Sequence, residues 1–208
     1  MRNISIVLFV FIATSCTKAV FKSKWTLEKA PENFVTRFET SKGDFEIVIE
    51  RKASPYAVDR YYQLVNHHLL DSVLVYRMVP KFVAQFGITD TLKTNPWKEY
   101  KVPDEKVLKS NLKGNLSFAR SVKDSRNFDL FINLENNTRL DTINYEKVTG
   151  FPAFGTVTKG MEVVESFYSG YGNETMDKYD SLASNRKQFL KVFPKLDVIR
   201  KVYILKNE

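Results

Sequence analysis

The sequence predicts a single domain of the all-β class. Its 208 residues are enough to bury one sizeable hydrophobic core. Residues 34–40 and 45–51 are rich in Phe, Val and Ile and flank the turn segment SKGD, which predicts a first β-hairpin. Residues 75–87 predict a second hairpin, turned at the Pro-Lys pair in their middle. The alternating segment 197–206 predicts a closing strand.

Three segments predict helices that accompany these strands. Ser54-Pro55 supplies a hydroxyl N-cap followed by proline, the usual start of a helix. A second helix is expected from Met161, and a short extra helix near the C-terminus should stop at Pro194. Each has apolar residues at helical spacing: Val58, Tyr61, Tyr62, Val65 and Leu69; Met161, Val164 and Phe167; Leu182, Phe189 and Phe193.

Two long polar segments separate these elements. Residues 88–113 form a stretch with two prolines and many charges, and a loop of this length in a compact domain is usually functional or mobile. Residues 173–184 are also polar, and we predict that they form an elaboration on the surface.

The charge pattern argues against a nucleic-acid-binding protein. The net charge is +8, but the 32 Lys and Arg residues are spread along the chain and mixed with 24 acidic residues. No basic run or aromatic-basic motif is present in the sequence. His67 and His68 are adjacent on a predicted helix, so they face different directions, and we expect neither a metal site nor a cofactor.

The N-terminus has the order of an export signal. Arg2 precedes the apolar run Ile4–Ala13, and small residues lead into Cys16, the single cysteine. The ending ATSC resembles a bacterial lipobox, although Ala13 stands where Leu is usual. This resemblance implies a signal peptide over 1–15, lipidation of Cys16 and a tether over 16–33. An uncleaved anchor, or a cleaved signal that leaves a free thiol, remains open.

The second hairpin carries side chains that suit a binding surface. Arg77 lies on its first strand, and Phe82, Val83 and Gln85 lie at the start of its second. Side chains alternate along a strand, so Val83 and Gln85 share one face. A guanidinium, an amide and an aromatic ring on adjacent strands favour recognition of a ligand. An ordinary hairpin with a surface arginine is the alternative.

These residues resemble the cyclophilin family of peptidyl-prolyl isomerases. The family signature runs F-H-R, four residues, F, two residues, Q-G-G, and Arg77, Phe82 and Gln85 fall on its Arg, Phe and Gln. Tyr76 replaces the His, and Phe86 replaces the first Gly. The resemblance continues through SFAR at 117–120, FDLFINL at 128–134, LD at 140–141 and PAFGTVTKGMEVVESF at 152–167.

The resemblance implies a fold, a reaction and a partner. The domain would span residues 34–208 and form a closed eight-stranded barrel capped by two helices. This chain would add the short extra helix near the C-terminus. The reaction would be cis–trans isomerisation of X–Pro bonds in unfolded or exported proteins. The protein would act as a lipid-anchored monomer at the bacterial envelope, facing the periplasm. Arg77, Phe82, Gln85 and Phe131 would be catalytic, and Val83, Ala119, Arg120, Asp129, Arg139, Leu140 and Phe151 would contact the peptide.

Three departures from the family pattern lie in the expected groove. Asp129 replaces a neutral Gln, Arg139 an aromatic residue and Phe151 a His or Tyr. A carboxylate at 129 predicts an ion pair with Arg77. The pair could orient Arg77 with its remaining N–H groups towards the groove, or it could occupy these donors; we expect the second in part, and therefore a slow but measurable isomerase. With Arg120 at the rim, the groove would carry unusual charge. A non-catalytic peptide-binding or chaperone module, or a structural docking surface, are the alternatives.

Overall fold

The computed structural model describes residues 21–179, 181 and 185–205, and these form a closed barrel. Their ten strands are β1 (Asn33–Thr40), β2 (Gly43–Glu50), β3 (Val73–Val79), β4 (Val83–Gly87), β5 (Asn115–Phe118), β6 (Asp129–Asn133), β7 (Asn144–Tyr145), β8 (Val148–Thr149), β9 (Ala153–Lys159) and β10 (Val198–Ile204). Eight of them close in the order β1-β10-β3-β4-β6-β5-β9-β2, with every neighbour antiparallel. The predicted fold class is confirmed.

Alternating burial explains why the first strands form the barrel wall. In β1 the residues Phe34, Thr36, Phe38 and Thr40 are buried while their neighbours are partly exposed. The hairpin to β2 turns at Gly43, whose φ of 126° is unfavourable for any residue with a Cβ. Because β1 also pairs with β10, the first and the last strand close the barrel together.

Helices cover the barrel at the predicted places. The described helices include, besides short 3-10 turns, the α-helices α1 (Pro55–Asn66), α2 (Thr91–Thr94), α3 (Arg139–Thr142), α4 (Met161–Glu165) and α5 (Arg186–Val192). Side chains of α1 and α4 join the barrel core, including Val58, Tyr61 and Val164. Helix α5 packs through Phe189 against a separate cluster outside β3. These contacts confirm the two capping helices and the extra C-terminal helix.

The cap of α1 differs from the prediction. The helix begins at Pro55 as expected, but the hydroxyl of Ser54 does not accept a hydrogen bond from the helix. Instead, the carboxylate of Glu105 accepts hydrogen bonds from the N–H groups of Tyr56 and Ala57 at 3.0 and 3.2 Å. Glu105 also accepts from Ser54 and from the buried Arg126. The long 88–113 segment is therefore tied to the start of α1.

The segment before β1 packs on α1, although a tether was predicted there. The indole of Trp25 stacks on His67 with ring centroids 4.0 Å apart. Gln63 donates to the backbone carbonyls of Thr26 and Glu28 at 3.1 and 2.9 Å. The described residues before β1 therefore belong to the folded unit, because an aromatic contact and hydrogen bonds to the backbone hold them on α1.

The predicted signal peptide and Cys16 lie outside the described residues. Among the helices that are described, none combines the length and the apolar character needed to cross a membrane.

Asp59 holds the N-terminal segment to the barrel. Its carboxylate accepts from Arg51 at 2.8 and 3.1 Å, from Lys29 at 3.0 Å and from the Ala30 N–H at 3.0 Å. Burial acts to raise the pKa of Asp59, but the hydrogen bonds from Arg51, Ala30 and Lys29 outweigh it, so the pKa lies below its ordinary value. This lowered pKa links the docking of the segment to pH.

We predict that Asp59→Asn lowers the free energy of unfolding by about 2 kcal/mol at neutral pH, since it leaves Arg51 and Lys29 without their shared carboxylate. Because the folded-state pKa is lowered, the stabilisation is present above the unfolded value and is lost as pH falls through the folded one. Urea denaturation between about pH 7 and pH 2 measures both effects.

The variant should therefore show a flatter dependence of stability on pH than the wild type. Glu32→Gln is the matched control, because Glu32 binds the same Arg51 but its side chain is 69% exposed. Equal denaturation midpoints for Asp59→Asn and the wild type at neutral pH would contradict the prediction.

Candidate active site

The register of three neighbouring strands places the main site residues in one row. Arg77 on β3 lies opposite Gln85 on β4, and Gln85 lies opposite Phe131 on β6. Residues directly opposite each other in antiparallel strands point to the same face of the sheet. Their neighbours Ala84 and Ile132 point into the barrel core, so the row lies on the outer surface.

A β-bulge brings Tyr76 to this outer surface as well. Val75 pairs with Phe86 and Arg77 with Gln85, which leaves Tyr76 as an extra residue in β3. Val75 belongs to the barrel core, whereas Tyr76 packs in the outer cluster with α5. Two consecutive side chains, those of Tyr76 and Arg77, can therefore both serve the site.

An apolar pocket lies beside this row. Val83, Phe131 and Leu140 form a buried cluster. Three partly buried residues pack around it, namely Phe82, Ala119 and Phe151. The rings of Phe131 and Phe151 meet edge to face at 6.1 Å. The pocket has a volume of about 430 Å³, and its lining also includes Arg77, Gln85, Asp129 and Met176. Its size and apolar walls suit one compact hydrophobic group.

The guanidinium of Arg77 is held at the edge of this pocket from two sides. Its Nη1 donates to Oε1 of Gln85 at 3.0 Å, and its Nε donates to Oδ1 of Asn173 at 2.8 Å. Its Cζ lies 5.5 Å from the centre of the Phe82 ring. Burial lowers the pKa of Arg77, yet an arginine stays charged at any physiological pH. The site therefore presents a fixed positive donor.

The predicted ion pair between Asp129 and Arg77 is wrong. Oδ1 of Asp129 accepts hydrogen bonds from the hydroxyls of Tyr76 and Tyr179 at 2.7 and 2.9 Å. No cationic group of the described residues lies within ion-pair distance of this carboxylate. Asp129 lies opposite Gly87 on β4, where an added Cβ would come within 2.5 Å of Oδ1. The absence of a side chain there gives the carboxylate room to turn towards Tyr76.

Arg120 lines the pocket as a groove residue should, but its guanidinium is bonded to the protein backbone. Its side chain is fully buried and donates to the backbone carbonyls of Tyr145, Val148 and Gly150 at 2.8 to 2.9 Å. Its Cζ lies 4.4 Å from the centre of the Phe151 ring. Arg120 therefore fixes the β7–β8 hairpin beside the pocket, and burial lowers its pKa.

Arg139 remains exposed at the edge of the site. Its Cζ lies 4.9 Å from the centre of the Phe82 ring, so a second guanidinium contacts this aromatic wall. Leu140 follows it in α3 and enters the pocket cluster. The backbone N–H of Phe151 donates to the carbonyl of Leu140 at 2.8 Å, which joins the two pocket residues.

The polar segment that was predicted to be a surface elaboration contributes three residues to the site, which the sequence did not predict. Asn173 binds Arg77, Tyr179 binds Asp129, and Met176 lines the pocket. No periodicity in this polar stretch pointed to the site. The available clue was Asp129, which stands where the family has a neutral Gln. A buried carboxylate requires hydrogen-bond donors, and these can come from elsewhere in the fold.

Metal ligands do not cluster in the part of the chain that the structure describes. No group of three or more His, Cys, Asp or Glu side chains lies close enough to hold an ion there.

Comparison with known proteins identifies the family. The model of cyclophilin type peptidyl-prolyl cis-trans isomerase/CLD matches residues 35–186. The chain is 32% identical over 150 residues to peptidyl-prolyl cis-trans isomerase A of Dickeya dadantii, covering 70% of this chain and 76% of the relative. It is 28% identical over 131 residues to peptidyl-prolyl cis-trans isomerase B of Bacillus subtilis, covering 62% and 85%. The protein belongs to the cyclophilin-type peptidyl-prolyl cis-trans isomerase family.

Solved structures agree with the barrel. A cyclophilin-type peptidyl-prolyl cis-trans isomerase of Cryptosporidium parvum superposes with a TM-score of 0.61 at 17% identity, covering 85% of this chain and 99% of its own. A structure of the same protein in the presence of the dipeptide Ala-Pro gives a TM-score of 0.60 at 18% identity, covering 83% and 99%. At this identity the match concerns the fold.

We predict that Arg120→Ala loosens the β7–β8 hairpin, because three backbone carbonyls lose their shared donor. The loss should cost about 2 kcal/mol of stability. Hydrogen exchange of the amides in 143–151 should become faster than in the wild type, and Arg139→Ala is the exposed-arginine control. Unchanged exchange in Arg120→Ala would show that other contacts hold the hairpin.

Proposed function

We propose that this protein catalyses cis–trans isomerisation of X–Pro bonds in peptide segments bound across the outer face of β3, β4 and β6. The observation that carries the proposal is the guanidinium of Arg77, fixed by Gln85 and Asn173 at the edge of an apolar pocket. Membership of the isomerase family supports it.

The reaction needs no nucleophile, base or metal. Rotation about an X–Pro bond faces a barrier of about 18–20 kcal/mol because amide resonance is broken. In the twisted amide, the prolyl nitrogen regains its lone pair and can accept a hydrogen bond. A donor that meets this nitrogen only in the twisted state stabilises the transition state more than the ground state.

Each part of the site has a role in this scheme. The proline ring would enter the pocket of Val83, Phe131 and Leu140, with Phe82 and the other surrounding side chains as its walls. Nε and Nη1 of Arg77 are occupied, whereas its Nη2 makes no hydrogen bond to a described residue and would donate to the prolyl nitrogen. Gln85 would hold the peptide carbonyl through its remaining amide N–H. Ala119, Arg139 and Phe151 would contact the flanking peptide.

The case for a non-catalytic groove loses its main argument. That alternative assumed that Asp129 neutralises Arg77, whereas its carboxylate accepts from Tyr76 and Tyr179. Arg77 is therefore left as a charged donor at the pocket edge, which is the requirement of the isomerase scheme.

We infer, for the location, that the protein is exported and attached to a bacterial membrane through lipidated Cys16. The support is the sequence order of Arg2, an apolar run and small residues before Cys16. Anchored in this way and facing the periplasm, the domain would act on exported proteins during their folding.

We predict that Arg77→Ala lowers kcat/KM about a hundredfold, because it removes a donor that acts in the transition state. Affinity for an Ala-Pro peptide should fall less, since the apolar pocket is retained. A protease-coupled isomerisation assay and an NMR titration measure the two quantities. Lys42→Ala, which removes an exposed cation in the β1–β2 turn, is the control. Equal activity of Arg77→Ala and the wild type would overturn the assignment of Arg77.

We predict that Cys16→Ser abolishes membrane attachment of the full chain. Labelled fatty acid should be incorporated into the wild type and not into the variant, and only the wild type should sediment with membranes. An unlabelled, unattached wild-type protein would refute the lipid anchor and leave the isomerase proposal unaffected.

A further inference from the structure

A directed chain of hydrogen bonds runs from Arg77 to the carboxylate of Asp129. Nη1 of Arg77 donates to Oε1 of Gln85 at 3.0 Å, and Nε2 of Gln85 donates to the Tyr76 hydroxyl at 2.8 Å. That hydroxyl donates in turn to Oδ1 of Asp129 at 2.7 Å. Tyr76 is 1% exposed and Gln85 is 8% exposed, so water does not compete readily for these bonds.

Both ends of this hydrogen-bond chain require the same direction, because the guanidinium of Arg77 can only donate and a carboxylate oxygen can only accept. A hydroxyl can donate or accept, and a glutamine amide can present either its oxygen or its nitrogen. In the ionised form of Asp129, Oδ1 can only accept, and the hydroxyls of Tyr76 and Tyr179 both donate to it. The oxygen of Tyr76 is then left to accept from Gln85, and Oε1 of Gln85 must face Arg77. The opposite amide orientation would place N–H groups against a guanidinium that also has only donors.

Other features of the fold keep the acceptor in place. The Tyr179 hydroxyl donates to the same Oδ1 at 2.9 Å, and the missing side chain of Gly87 gives the carboxylate its space. Burial raises the pKa of Asp129, while the hydrogen bonds from Tyr76 and Tyr179 act to lower it. Among the described residues the carboxylate has no cationic partner, so the two tyrosine hydroxyls are the donors that offset the cost of its burial.

We propose that Asp129 is a positioning residue: through Tyr76 it fixes the amide of Gln85 with its oxygen towards Arg77, and so holds the guanidinium in its working orientation. The inference rests on the proposed isomerase function and deepens it. It assigns to Asp129 neither peptide contact nor neutralisation of Arg77. The hydrogen-bond chain requires an acceptor at the place of Oδ1 of residue 129. It does not require a negative charge there.

Three variants separate the acceptor from the charge. Asp129→Leu removes the acceptor and should lower kcat about ten- to a hundredfold, with little change in KM, since the proline pocket is intact. Asp129→Asn keeps an oxygen that can accept from both tyrosines and should retain most of the activity. Tyr76→Phe interrupts the hydrogen-bond chain while Asp129 stays, and its kcat should fall as much as that of Asp129→Leu. Tyr171→Phe removes a nearby hydroxyl outside the chain and is the control.

NMR of the side-chain N–H groups of Arg77 and Gln85 supplies a readout that does not depend on catalysis. Slow exchange of these protons in the wild type and Asp129→Asn, and faster exchange in Asp129→Leu and Tyr76→Phe, is the expected result. If Asp129→Leu fails to fold, Tyr76→Phe carries the test.

Two outcomes would overturn the proposal. Full activity in Tyr76→Phe would show that the chain does not position Arg77. Equal impairment of Asp129→Asn and Asp129→Leu would show that the charge, and not the acceptor, matters. An inactive wild type would refute the proposed function instead, and the NMR comparison would still test the chain.

Discussion

The antiparallel register of β3, β4 and β6 is the constraint on which the site depends. It sets Arg77, Gln85 and Phe131 side by side on the outer surface and turns their neighbours into the core. A slip of one residue would reverse both faces at once, so the packed barrel interior enforces the register. The bulge at Tyr76 adds a fourth side chain to the row without disturbing this pattern.

The polar half of the site is held by groups that come from distant parts of the chain. Asn173 binds Arg77 across 96 residues of sequence, and Tyr179 binds Asp129 across 50. Because Gln85 and Asn173 occupy two nitrogens of Arg77, the guanidinium is fixed before any peptide arrives. Such preorganisation avoids the cost of ordering a long side chain during the reaction.

The apolar half of the site is held by the buried side chain of Arg120. Arg120, fully buried, gathers three carbonyls of the β7–β8 hairpin and lies over the ring of Phe151. Phe151 in turn meets Phe131 and is joined by its backbone to Leu140. An arginine that looks like a groove charge in the sequence therefore holds the hairpin in place, since backbone carbonyls accept hydrogen bonds from its Nη1 and Nη2.

Periodicity and turn residues act locally, so the sequence by itself determined the two hairpins, the closing strand and the three predicted helices. The other barrel strands and the apolar pocket were implied by the resemblance to the family. The motif around Arg77 also fixed which residues share a face. Only the tertiary structure decided the partners of the polar groups. A carboxylate such as Asp129 can bind any donor within reach, and the nearest ones, Tyr76 and Tyr179, are set by a bulge and a distant segment. The same holds for Trp25 and the segment before β1, whose packing on α1 depends on contacts that no local pattern encodes.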